Sequence, residues 1–110
     1  MAIPHASAGQ SIDVQPLGAR LVDEKTVALF KAQHLEVMRL VLQAGKSLPP
    51  HQVAGEITIH CIEGTLDVTI DGRSHVLHAG QLLFLAGGAL HGVTALADAS
   101  ALVTIALRKA

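Results

Sequence analysis

From Gly45 onward the chain runs in short apolar stretches punctuated by turn residues. The runs 56–62, 65–71, 73–77, 82–85, 90–96 and 100–107 are separated by Glu63-Gly64, Asp71-Gly72, Ala79-Gly80, Gly87-Gly88 and Asp98. Leu66, Val68 and Ile70 alternate with Thr65, Asp67 and Thr69, the period-two pattern of a strand with one face in and one out. Asp71-Gly72 predicts a two-residue hairpin turn, because such a turn needs positive φ at both central residues. Residues 34–43 predict a longer strand buried on both sides, with Leu35, Val37, Arg39 and Val41 on one face and Met38, Leu40 and Leu42 on the other. Its Leu, Met, Glu and Arg also suit a helix, but the β character of the flanks favours strand. Upstream, 25–30 leans towards strand, and 11–14 reads as a short strand ended by Pro16 and Gly18. Many short strands with turns at this spacing predict an all-β sandwich or barrel.

The division is simple: a flexible arm over 1–10, small and polar, and a single domain over 11–110, with no repeat, low-complexity tract or linker. A chain of 110 residues holds one core and not two. Half of it is apolar and 15% charged, more greasy surface than a small monomer usually shows, which predicts a homodimer. A net charge of −1 supplies no basic face for nucleic acid, and two Phe without Trp or Tyr supply no stacking platform. One Cys leaves no internal disulfide. The start, Met1-Ala-Ile-Pro-His5, has neither a basic region nor a long apolar run, and no segment nears the ~20 apolar residues of a membrane span. These features predict a cytoplasmic protein without a membrane partner.

The chemistry concentrates between Gly45 and Gly64, where a Pro-Pro step leads into His51, and Glu56 and His60 follow. His5, His34, His75 and His78 read as surface residues. Cys61 reads as a small buried hydrophobe with no basic neighbour to make it a thiolate. No Ser-His-Asp order, phosphate loop or CxxC is present.

Two of these segments resemble a known family. Gly45-x5-His51 with Glu63-Gly64 beyond it is similar to the first motif of the cupins. Gly80-Gln-Leu-Leu-Phe-Leu-Ala-Gly-Gly-Ala-Leu-His91 is similar to the second. The resemblance covers about residues 35–107 and implies a double-stranded jelly-roll β-barrel, often dimeric. The family's metal site takes two His and a Glu from the first motif and a His from the second. Carried over, His51 and His91 stand at ligand positions, while Val53 and Ile57 replace the other His and the Glu, and Ala86 replaces the Pro of the second motif.

Glu56 sits one residue before the expected Glu, and in a strand that shift changes the face. With Ile57, Ile59 and Cys61 inward, Glu56 and His60 point away from the cavity. With a bulge at Gly55 the phase flips, and both join His51 and His91. Two functions therefore stay open. One is a metal-dependent enzyme (dioxygenase, isomerase or decarboxylase) acting on a small polar metabolite. There a divalent transition metal (Zn, Ni, Fe or Mn) would be held by His51, Glu56 and His91, with Glu56 and His60 as catalytic groups. The other is a non-catalytic small-molecule-binding or sensing domain. Its cavity would be lined by Val53, Ile57, Phe84 and Leu85, with Arg39 either reaching in towards an anionic ligand or paired with Glu56 or Glu63.

Overall fold

The computed structural model describes residues 5–108, so the first four residues of the 1–10 arm lie outside it. A short 3-10 helix, Gly18–Asp23, precedes strands β1 (Val27–Lys31), β2 (Leu35–Leu42), β3 (Ser47–His51), β4 (Ile57–Glu63), β5 (Thr65–Ile70), β6 (Arg73–His78), β7 (Leu82–Leu85), β8 (His91–Ala95) and β9 (Ala99–Ala106). They form two antiparallel sheets, one ordered β1-β2-β9-β4-β7 and the other β3-β8-β5-β6. This is the expected all-β double-sheet jelly roll. Among the described residues no helix is long and apolar enough to cross a membrane.

The core fills the space between the sheets with the alternating apolar positions of their central strands. Leu40 and Leu42 of β2, Ile57, Ile59 and Cys61 of β4, and Ala101 and Val103 of β9 face Leu66 and Val68 of β5 and Val93 of β8. Fully buried aliphatic side chains such as Ile59 and Leu66 contribute about 1.5–3 kcal/mol each relative to exposure. Residues 34–43 form strand rather than helix because both faces are covered. β2 pairs with β9 along its whole length, from Leu35↔Ala106 to Leu42↔Ala99, and Arg39 and Val41 are buried on the side away from the core. The β5–β6 hairpin turns at Asp71 (φ 50°) and Gly72 (φ 80°), as the dipeptide predicts.

Three local features differ from the sequence expectation. Residues 11–14 form no strand. The 3-10 helix has no signal in the local sequence, since its start is held by a residue 45 positions further along the chain. The Pro-Pro step is part of β3, which tolerates it because β3 is an edge strand that needs hydrogen bonds on one side only.

A carboxylate holds the N-terminal segment against the outer face of the five-stranded sheet. Between Cys61↔Ala101 and Glu63↔Ser100, β4 advances two residues while β9 advances one, so Ile62 is a bulge that turns Glu63 outward. There Glu63 accepts hydrogen bonds from the N–H groups of Leu17 (2.9 Å) and Gly18 (3.0 Å) and from the Ser100 hydroxyl. Burial alone would raise its pKa, but the Ser100 hydroxyl, the two N–H donors and the Arg39 charge together hold it below the ordinary value of 4.5.

Two measurements test this account. Gly55 is required by close approach: a Cβ there would lie 1.7 Å from the Ala106 carbonyl oxygen. Gly55→Ala is expected to cost about 1–3 kcal/mol or more, read as a lower urea midpoint. Because Glu63 has a depressed pKa in the folded state, the folded chain binds fewer protons there than the unfolded one. Its stabilisation is complete above about pH 4.5 and is lost as pH falls through the folded value. Urea unfolding across this acid range should show a shallower loss of stability in Glu63→Gln than in the parent; equal slopes would contradict the assignment.

Candidate functional site

The site is built where β3 and β8 meet at one end of the sandwich. His51 and His91 are direct cross-strand partners, and Ile70 of β5 lies opposite His91 on its other side. His91 shares the parity of the core residues Val93 and Ala95 and is 4% exposed. His51 reaches the same face only because β3 carries an extra residue. Leu48 pairs with Val93 and His51 with His91, so three steps on one strand match two on the other. Regular alternation from Leu48 would turn His51 outward, and the bulge at Pro49-Pro50 restores it. The two imidazole centroids end 4.5 Å apart, tilted by 49°.

Each ring is fixed by the main chain two residues before it. His91 Nδ1 lies 3.0 Å from the Ala89 carbonyl oxygen and His51 Nδ1 lies 3.3 Å from that of Pro49. A carbonyl oxygen can only accept, so both Nδ1 atoms carry the proton. In the neutral rings Nε2 is then the lone-pair nitrogen, the tautomer used for binding a donor or a metal. Ile70, half-buried against the core, lies beside His91; Val53 is also half-buried against the core, and Ile57 is buried within it.

The remaining expected site residues divide by strand parity. Ile57, Ile59 and Cys61 face inward, so the strand keeps its plain phase and no bulge forms at Gly55. Glu56 is exposed just before β4, and His60 lies on the outer face between Leu82 of β7 and Leu102 of β9. Neither joins His51 and His91, which corrects their expected metal and catalytic roles. Phe84 and Leu85 cannot share a face, being adjacent in β7. Leu85 is in the core, whereas Phe84 pairs with Thr58 and is 61% exposed on the outside. Arg39 is also outside the cavity. It donates from Nη1 to the Gln15 carbonyl oxygen at 2.9 Å, and its charge acts on Glu63, the pairing partner considered from sequence. Burial pushes the Cys61 thiol up, so it is held as the neutral form.

The donor set does not fit the four-ligand metal site of the family. Val53 and Ile57 have no ligating atom, and among the described residues no three His, Cys, Asp or Glu side chains cluster closely enough to hold a metal ion. Two imidazoles remain, enough to anchor a small polar group.

The comparisons agree with this architecture. The cupin-domain pattern matches residues 38–107. An RmlC-like cupin from Desulfovibrio desulfuricans is 26% identical with a TM-score of 0.75, covering 88% of this chain and 96% of that one. A conserved protein of unknown function from Streptococcus pyogenes aligns over 100% of this chain and 97% of its own, at 19% identity and a TM-score of 0.76. A mannose-1-phosphate guanylyltransferase from Sinorhizobium fredii is 35% identical over 65 residues, 57% of this chain, and the chain spans only 12% of its length. With its motifs, strand order and matched span in agreement, the chain belongs to the cupin-domain family.

Proposed function

We propose that this protein is a small-molecule-binding cupin, without metal-dependent catalysis, whose ligand is held at the end of the sandwich by His51 and His91. The observation that carries the reading is the pair itself: two facing imidazoles, each with Nδ1 committed to a main-chain carbonyl and Nε2 left for a ligand. Ile70, the cross-strand partner of His91, supplies an apolar neighbour, and apolar surface with a few placed polar groups is the usual make-up of a metabolite site. Neutral Nε2 accepts a hydrogen bond from a hydroxyl. If a ring is protonated, it donates to a carboxylate. Small hydroxy acids match both states.

Titration of the protein with glycolate and lactate, followed by ring nitrogen NMR, is expected to move the Nε2 resonances of His51 and His91 saturably. His91→Gln should weaken that binding about tenfold, the worth of one charge-assisted hydrogen bond. Elemental analysis of untagged protein decides the enzyme alternative. We expect metal far below one atom per chain. Stoichiometric Zn, Ni, Fe or Mn that is lost in both His51→Ala and His91→Ala would overturn the metal-free reading.

The same reading includes a homodimer in the cytoplasm, formed through the outer face of the five-stranded sheet. Leu82 and Phe84 are 64% and 61% exposed there, on an edge strand with an unpaired side, and Leu35 shares a shallow depression with Phe84, Thr58 and Thr104. Apolar side chains on an open edge are costly in a monomer, because they invite pairing. Sedimentation equilibrium is expected to give a dimer for the parent chain and a monomer for Phe84→Lys. A parent that stays monomeric at high concentration would sink the dimer.

A further inference from the structure

Arg39 is the most unusual charge in the molecule. It projects from β2 on the side away from the core and is 6% exposed. Its Nη1 donates to Gln15, but Nη2 is buried with no hydrogen-bond partner among the described residues. Glu63 interacts with Arg39 through its charge but makes no hydrogen bond to Nη2; its oxygens accept from Leu17, Gly18 and Ser100. A buried guanidinium with a free N–H is costly, because it has lost water without gaining an acceptor in return.

The same Arg39 lines a cavity of about 210 Å³ between the N-terminal segment, the 3-10 helix and the outer face of β1 and β2. That is several times the ~30 Å³ share of one water, enough for a small organic acid. Arg20 and Lys25 line it as well, so three cations face one space, together with two carboxylates, Asp13 and Glu24. The carboxylates restrict the occupant. A polyanion would be repelled by them, whereas a single carboxylate sits on the guanidinium and leaves Asp13 and Glu24 to accept from donors elsewhere on the ligand.

We infer that this cavity is a second binding site, separate from the His51–His91 end, for a small molecule presenting one carboxylate to Arg39. The buried Arg39 charge in the cavity wall supplies the main attraction for the carboxylate, and Arg20 and Lys25, which line the same space, add to it. The site depends on the N-terminal segment staying in place, because Gln15 and Leu17 form part of its wall. An occupant would therefore hold that segment against the sheet, adding to the hold of Glu63.

The test is an amide and arginine side-chain NMR titration of the full chain with acetate and, separately, inorganic phosphate. The expected result is a saturable shift of the Arg39 side-chain N–H signals and of the Leu17 and Val41 amides on adding acetate, with phosphate weaker. Shifts centred on His91 and Ile70 would instead report the His51–His91 end, so the two readings fail separately. Arg39→Met should abolish the response. Because that variant removes a buried side chain, Arg20→Gln with Lys25→Gln is the second arm, expected to keep the parent spectrum and weaken acetate by several-fold. No saturable shift at Arg39, or a response unchanged in both variants, would overturn the inference. A tighter response to phosphate than to acetate would overturn the carboxylate assignment.

Discussion

A strand in a two-sheet sandwich has one face towards the core and one away from it, and successive residues must take opposite sides. Most of the chemistry in this protein follows from that restriction. On β4 the inner positions hold Ile57, Ile59 and Cys61, which belong to the core, so every polar group in alternate phase is expelled to the outside. Glu56 and His60 are outside for this reason, whatever their ligating ability. On β3 and β8, at the end of the sandwich, the inner face carries the imidazoles of His51 and His91.

The outer face of the five-stranded sheet is consequently richer in polar chemistry than the interior. It carries the Glu63–Ser100 contact, the buried Arg39 and the half-buried His60, under or beside a short N-terminal segment. Burying charges on such a surface is tolerable only when hydrogen bonds replace lost water. Glu63 meets that condition with three donors, and Arg39 meets it in part. The contrast between these neighbours separates a structural charge from one with unspent binding capacity.

Much of this was legible in the sequence, because it rests on local pattern. The β5–β6 hairpin follows from Asp71-Gly72 and the Leu66, Val68, Ile70 alternation, and the inward set on β4 was the greasier of its two faces. The meeting of His51 and His91 follows from two separate motifs. What was not legible depends on contacts distant along the chain or on a single inserted residue. The 3-10 helix needs Glu63, which becomes available only because Ile62 bulges, and nothing in Cys-Ile-Glu announces that bulge. Phe84 and Leu85 could both be placed in the cavity only while the phase of β7 was unknown.

The Pro49-Pro50 bulge has a consequence for how such a site changes over time. Chain length, rather than side-chain identity, sets the direction of His51. Removing one residue upstream of it would disarm the pair while leaving both histidines in place, and inserting one elsewhere could bring a different side chain to face His91 without altering a single codon for a polar residue. Small length changes at an edge strand, which the fold absorbs readily, are thus a route by which members of one architecture can gain or lose an inward-facing group in one step.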